Sequence, residues 1–154
     1  MNSGWDFSKI QIVSVGRLEY AKGFDIGAKV AKVLKDKGYQ FCWHVYGQGA
    51  MKNEIQQFIK DNELDEYYIL EGLKTNPYPY MKNADLIVQP SRWEGKSIVL
   101  DEAKILGKAI VVTNYPSVTD QIIDGKTGIV TNKEPEDIAT GIENLICHKE
   151  LCYQ

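Results

Sequence analysis

Two glutamates, Glu94 and Glu102, bracket a segment whose residue types could bind a ligand with hydroxyl and phosphate groups. The apolar run 85–88 that precedes them predicts a buried strand ended by Pro90, because proline cannot donate to a sheet ladder. Ser97 is the predicted N-cap of the next helix. In an open parallel sheet, ligands bind at the carboxyl ends of the strands, and backbone amides at a helix start bind anions. We therefore expect the functional site at this edge.

Two cations, Arg17 and Lys22, stand five residues apart on a loop bounded by Gly16 and Gly23. A guanidinium fork and a lysine point charge suit a diphosphate. Taken alone, such a pair is more often two solvated surface cations. A Gly-Gln-Gly sequence at 47–49 opens a predicted helix, but no third glycine completes a dinucleotide-binding fingerprint, so this stretch alone could also be only a tight turn.

The elements that must position these loops alternate between strand and helix. Short apolar runs predict strands at 10–15, 41–46, 67–70, 85–88, 109–113 and 129–130. Helical spacing and glycine or proline boundaries predict helices over 24–36, 50–60, 97–106, 116–123 and 136–146. This alternation predicts βαβ units with right-handed crossovers. The predicted fold class is α/β, a Rossmann-like three-layer domain with a parallel sheet and helices on both faces.

Length and composition set the remaining bounds. The chain has 154 residues, which predicts one domain with its own core. The net charge of -3 argues against a nucleic-acid partner. No apolar stretch approaches the length of a bilayer span, and the N-terminal residues do not form a signal peptide. The two histidines and three cysteines lack metal-ligand spacing, so we expect no metal site.

Several of these stretches resemble the motifs of a known family, the retaining glycosyltransferases of the GT-B fold in the large GT4 family. Residues 16–18 and 22–23 resemble the G-R-L…K-G loop of that family, and 47–49 resemble its G-x-G turn. Residues 90–103 resemble the P-S-x-x-E-G…E-A motif, and 124–128 resemble the D-G-x-x-G turn. The resemblance is to the C-terminal, donor-binding domain, which would be one half of a GT-B enzyme.

The resemblance implies a role for each matched residue. The implied catalytic residues are Arg17 and Lys22, which would hold the donor diphosphate and stabilise its charge as it leaves, and Glu94, which would face the donor sugar. Glu102 would accept a hydrogen bond from the ribose. Further donor-binding positions implied by the resemblance are the loop residues Gly16, Gly47, Leu73, Lys74, Gly95, Lys96 and Ser97.

Within that set, the backbone amides of 95–97 would face the phosphate or the sugar, and Leu73 and Lys74 would lie near the base. Lys96 and Ser97 stand where many relatives have aromatic, glycine or proline residues. The resemblance therefore implies no particular sugar.

The activity implied by the resemblance is transfer of a sugar from a UDP-, GDP- or ADP-linked donor to an acceptor hydroxyl, with retained configuration. No Asp-x-Asp pair occurs in the sequence, so we expect a diphosphate neutralised by protein cations, without a metal or cofactor. Residues 1–154 would form only the donor-binding domain, without the N-terminal acceptor domain. We expect this fragment to transfer no sugar by itself. We expect the intact enzyme in the cytoplasm, with the inner membrane surface as one place where it could act.

The same sequence pattern has three alternative interpretations. A nucleotide-sugar isomerase or epimerase on the same fold would also use a diphosphate loop, but is not expected to have the E-G…E-A spacing. The fragment could also be a non-catalytic nucleotide-sugar-binding module. A dinucleotide-binding oxidoreductase would need a third glycine after Gly49 and an acidic residue closing the second strand, where Tyr46 stands instead.

Overall fold

The structure, a computed structural model, describes residues 8–122, 124–125 and 128–147. Its six strands form one fully parallel sheet in the order β3-β2-β1-β4-β5-β6. The strands are β1 (Ile10–Val15), β2 (Phe41–Tyr46), β3 (Tyr68–Gly72), β4 (Leu86–Gln89), β5 (Ala109–Thr113) and β6 (Ile129–Thr131). The predicted α/β class with a parallel sheet is confirmed.

Helices cover both faces of this sheet, which confirms the three-layer prediction. They are α1 (Phe24–Asp36), α2 (Lys52–Asp61), α3 (Tyr78–Asn83), α4 (Ile98–Ile105) and α5 (Pro135–Cys147). Successive residues of a strand point to opposite faces, so Ile12 joins the core under α1, α2 and α5, and Val13 joins the core under α3 and α4. No helix within the described residues is long and apolar enough to span a membrane.

The strand order reverses between β1 and β4, and this reversal creates a crevice. The chain leaves β1 for α1 on one face of the sheet and leaves β4 for α4 on the opposite face. The two loops therefore diverge at their carboxyl ends, which is where ligands bind in folds of this kind. The Gln89 side chain joins the ends of the two strands, accepting from Val15 N at 3.0 Å and donating to Val15 O at 2.9 Å.

The largest difference from the sequence prediction lies after β5. The segment 116–123, predicted as a helix, contains only a 3-10 turn at Val118–Asp120, and its last residue lies outside the described part. The third strand extends to Gly72, because Tyr46 pairs with Gly72 beyond a register shift. Two residues of the predicted turn at 124–128 also lie outside the described part, although Gly125 N donates to Gly128 O at 2.8 Å.

Candidate functional site

The loop after β1 and the loop after β4 meet at Gly23 and Pro90. Gly23 has φ +71, and a Cβ atom there would lie 1.9 Å from the Pro90 carbonyl oxygen. Only glycine permits this approach, since it combines a left-handed backbone with no side chain. Two residues further, Arg92 N donates to Ala21 O at 2.8 Å. The contact brings the Arg17–Gly23 loop against the segment that contains Glu94.

The contact between the two loops pairs Lys22 with Glu94, two of the predicted catalytic residues. Lys22 Nζ lies 2.7 Å from Glu94 Oε1, and Ser91 Oγ donates to Glu94 Oε2 at 2.6 Å. The Glu94 side chain is only 5% exposed, whereas that of Lys22 is 29% exposed. Both carboxylate oxygens are therefore engaged within the protein. An anion that reaches Lys22 must share it with Glu94 or replace Glu94.

The helix start after Glu94 matches the predicted cap. Ser97 Oγ accepts from Leu100 N at 3.2 Å, as expected of an N-cap residue. The Ser97 amide, however, donates to Gln121 Oε1 at 2.9 Å and is engaged within the protein. Gly95 and Lys96 are exposed. Three amides were expected to face a phosphate or a sugar. The Ser97 amide is engaged within the protein, whereas the other two belong to residues at the surface.

Arg17 lies in a different part of the same edge. Its side chain is 71% exposed and donates from Nε to Glu19 Oε1 at 2.8 Å. It lines a cavity of about 560 Å³ at the carboxyl ends of β1, β2 and β3. The cavity is lined by Arg17, Leu18, Gly47, Gln48, Gly49, Lys52, Leu70, Glu71 and Gly72. Arg17 and Lys22, predicted to act together, therefore contact different partners in this state.

Gly47 and Lys52 define the floor and one wall of that cavity. A Cβ atom at Gly47 would lie 1.8 Å from Gly16 O, so the Gly-Gln-Gly turn packs directly on the loop of Arg17. Lys52 is the first residue of α2 and places a second cation in the cavity. Lys52 was not predicted as a site residue, although its place in the first turn after that glycine pair was the available signal.

The remaining predicted residues lie on the same edge or next to it. Leu73 and Lys74 directly follow β3 and are exposed, with Leu73 at 66%. Glu102 is half-buried within α4, one turn beyond the Ser97 cap. The structure therefore places every predicted site residue at the carboxyl edge or in the first turns of the adjoining helix. Their roles toward a ligand stay predictions.

A bidentate ion pair beside Lys22 was not predicted. Arg92 donates from its two terminal nitrogens to Asp25 Oδ1 at 2.9 Å and Oδ2 at 2.8 Å, and one of these nitrogens also donates to Tyr20 O at 2.8 Å. The guanidinium lies 3.8 Å from the centroid of the Tyr20 ring. Burial alone would raise the Asp25 pKa, but the hydrogen bonds and charge of Arg92 outweigh it, so the pKa is lowered. This pair holds α1 and the two site loops together.

We expect Asp25→Asn to destabilise the protein by about 1–3 kcal/mol at pH 7, because it breaks a largely buried charge-assisted fork. The lowered Asp25 pKa means that this contribution is present above the ordinary carboxyl pKa and is lost as the pH falls through the lowered one. Urea unfolding should therefore show the wild-type advantage at pH 7 and its decline at pH 3. Asp36→Asn, at an exposed i,i+4 pair with Lys32, is the matched control and should change little. An equal effect of both substitutions would contradict this assignment.

Tyr115, a buried residue close enough to Glu94 to be affected by its charge, was also not predicted. Its side chain is 1% exposed, and its hydroxyl has no hydrogen-bond partner among the residues that the structure describes. Burial and the charge of Glu94 raise the pKa of Tyr115 to about 12. The phenol therefore stays protonated and is an uncharged donor close to the carboxylate. Nothing in its local sequence distinguished it from an ordinary core aromatic residue.

No group of three or more histidine, cysteine, aspartate or glutamate side chains within residues 8–122, 124–125 and 128–147 is arranged to hold a metal ion. Arg17, Lys22 and Lys52 are among the cations at this edge. The arrangement offers lysine and arginine cations, a helix start and a hydrogen-bonded carboxylate around one crevice. Such a set can bind a phosphorylated ligand that also carries hydroxyl groups.

Comparison with known proteins identifies relatives of the same kind. The sequence model of the family described as glycosyl transferases group 1 matches residues 2–154. Poly(ribitol-phosphate) alpha-N-acetylglucosaminyltransferase of Staphylococcus aureus (strain COL) is 28% identical over 134 residues, which are 86% of this chain and 27% of that protein. The chain thus spans about a quarter of the length of that curated relative.

Solved structures agree with this match. A mutant of S. aureus TarM in complex with fondaparinux, alpha-GlcNAc-glycerol and UDP has a TM-score of 0.88 at 26% identity, covering 94% of this chain and 30% of that chain. The C-terminal domain of a glycosyl transferase group 1 family protein (LpcC) from Francisella tularensis has a TM-score of 0.81 at 25% identity, covering 94% of this chain and 78% of that chain. The chain belongs to the group 1 glycosyltransferase family, and its fold is that of a C-terminal domain of the GT-B architecture.

Proposed function

We propose that this chain is the donor-binding domain of a retaining glycosyltransferase, which transfers a sugar from a nucleoside diphosphate sugar to an acceptor hydroxyl. The observation that carries the proposal is the contact of Lys22 with Glu94 at 2.7 Å. It joins the two family stretches at the strand-order reversal, where a ligand with both phosphate and hydroxyl groups would meet a cation and a carboxylate together.

In the proposed sugar transfer, the residues of this site stabilise the departing diphosphate. As the acceptor hydroxyl oxygen bonds to the sugar C1, the bond between C1 and the diphosphate breaks. Its electron pair moves onto the diphosphate oxygen, and the hydroxyl proton leaves with the nucleoside diphosphate. Lys22 then faces the phosphate, and the start of α4, next to the exposed residues Gly95 and Lys96, adds the positive end of the helix dipole. Stabilisation of developing charge by such fixed groups is often the largest catalytic contribution. Glu94, released from Lys22 and still hydrogen-bonded to Ser91, accepts from the sugar hydroxyls.

Among the donor nucleotides, we propose UDP first, because the TarM structure that resembles this chain at 26% identity contains UDP. In this proposal Arg17 and Lys22 together hold the diphosphate, and Lys52 adds a further cation in the cavity after β1–β3. The acceptor would bind to an N-terminal domain of the same enzyme, and the cations would make a metal ion unnecessary. A cytoplasmic location, with access to the inner membrane surface, is part of the same proposal.

Calorimetric titration of this chain with UDP, GDP and ADP tests the proposed function. We expect selective binding of one nucleotide, and the same affinity with EDTA as with Mg²⁺. Incubation with the matching nucleotide sugar separates the alternatives, since an isomerase or epimerase would release or exchange the sugar without an acceptor. If none of the three nucleotides binds at millimolar concentration, the donor-site assignment is wrong.

A further inference from the structure

We propose that Gln121 is a positioning residue that fixes residues 94–97, here called the donor loop, in the geometry that binds the diphosphate. The inference rests on the proposed function and concerns a residue to which the family resemblance gave no role. Gln121 does not face the crevice as a ligand contact in this proposal. It acts on the ligand only through the backbone of the donor loop.

The carboxamide of Gln121 pairs with both backbone groups of one residue. Ser97 N donates to Gln121 Oε1 at 2.9 Å, and Gln121 Nε2 donates to Ser97 O at 2.7 Å. Gln121 is 8% exposed and Ser97 is 7% exposed, so neither bond is readily exchanged with water. Loss of the carboxamide would leave a buried N–H and a buried C=O unpaired, which is more costly than loss of a hydrogen bond at the surface.

A neighbouring carboxylate sets which way the carboxamide points. Gln121 Nε2 also donates to Asp101 Oδ1 at 3.1 Å, so the nitrogen side of the amide faces the acceptor. Asp101 lies 3.7 Å from Lys96 Nζ and 3.5 Å from Lys104 Nζ. The carboxylate thereby links Gln121 to Lys96 of the donor loop as well as to the helix.

The segment after β5 holds the donor loop at both ends. Ser117 Oγ donates to Glu94 O at 3.1 Å, while Gln121 holds Ser97. Gly95 and Lys96 lie between these two anchors and are exposed. With Ser97 N engaged by Gln121, an anion at this end of α4 can meet the amides of Gly95 and Lys96, which precede the cap, and the first-turn amides of Ile98 and Val99, which have no intrahelical acceptor. By fixing the backbone of Ser97, Gln121 therefore positions the amides on both sides of the cap.

Three variants test this assignment, with the nucleoside diphosphate that binds the wild type most tightly among UDP, GDP and ADP as the probe. Gln121→Met has a similar shape but can neither accept from nor donate to Ser97, and we expect its affinity to fall 5- to 30-fold. Thr119→Ala changes an exposed residue of the same segment and should leave the affinity within twofold of the wild type.

Gln121→Glu gives a readout that a merely structural role would not move. A protonated carboxyl both accepts and donates, as the carboxamide does, whereas a carboxylate repels Ser97 O and Asp101. Between pH 5 and pH 8 we therefore expect the affinity of Gln121→Glu to fall at least fivefold more than that of the wild type. Circular dichroism at each pH checks that the variant stays folded, so the comparison holds even if Gln121→Met does not fold.

Wild-type affinity in Gln121→Met would overturn the role of Gln121, as would a Gln121→Glu affinity that follows the wild-type pH profile. An equal loss in Thr119→Ala would overturn it too, because the effect would then belong to the whole segment. If the wild type binds none of the three nucleotides, the proposed function itself fails, which is a distinct result from binding that the variants leave unchanged.

Discussion

Lys22→Met is expected to weaken binding of the nucleoside diphosphate by about 10- to 100-fold, which corresponds to roughly 1.5–3 kcal/mol for one charge-assisted contact. Lys22 is the cation that the fold brings against the carboxylate of Glu94, and its methylene chain passes through a largely covered site at 29% exposure. Methionine keeps much of that chain and removes only the charge. Calorimetric titration with the nucleotide that binds the wild type gives the ratio of the two affinities directly.

The same substitution should also lower the free energy of unfolding, by about 1–3 kcal/mol, because Glu94 is 5% exposed and loses its positive partner. Ser91 still donates to the carboxylate, which limits this loss. Lys29→Met, at an exposed lysine of α1, is the matched control and should change neither affinity nor stability. Equal affinities of the Lys22 and Lys29 variants would show that Lys22 does not contact the diphosphate.

Gly23→Ala is expected to produce the largest loss of stability, about 3–5 kcal/mol. The new Cβ atom would lie 1.9 Å from Pro90 O and 2.9 Å from Pro90 C, so two backbone segments must separate. The left-handed φ of +71 adds about 1 kcal/mol of strain for alanine. Because the displaced segments carry Lys22 and Glu94, nucleotide binding should fall together with the stability. Urea unfolding measures the first effect and calorimetry the second.

Gly38→Ala measures the cost of backbone strain in the absence of a steric clash. Gly38 has φ +90, and a Cβ atom there would meet nothing within 4 Å, so alanine at this position introduces backbone strain without a clash. We expect it to cost about 1 kcal/mol and to leave nucleotide binding unchanged. If the two alanine variants lost equal stability, the close approach of Gly23 to Pro90 would not be what holds the two loops together.

Local pattern predicted the elements well where one face of the chain is buried. The bounds of β1 and α1, at 10–15 and 24–36, follow from apolar periodicity and flanking glycines, and the structure has the same bounds. The segment 116–123 was predicted wrongly as a helix. Proline and apolar residues there fit a helix start, but the chain forms a single 3-10 turn, after which the side chain of Gln121 bonds to Ser97.

The position of the site at one edge of the sheet could be predicted from the sequence. The side-chain pairs within and beside the site could not. The carboxyl ends of parallel strands share one edge of the sheet, which is why Lys22 and Glu94 could be assigned to that edge although 72 positions separate them. The bonds of Arg92 to Asp25 and of Gln121 to Ser97 join residues 67 and 24 positions apart. Such pairs depend on side-chain directions in the folded chain. Local sequence gives no signal for them, because arginine, aspartate and glutamine are also ordinary surface residues.

Amide chemical-shift mapping during titration with UDP, GDP and ADP tests the central claim most directly, because it shows where on the domain a nucleotide binds. The proposed donor site predicts that one nucleotide shifts the amide signals of the 16–23 loop, Gly95 and Lys96. The opposite edge, which includes Gly38 and Gly107, should stay unchanged. Shifts confined to the outer faces of the helices, or to the amino ends of the strands, would place binding elsewhere and contradict a donor site built around Lys22 and Glu94.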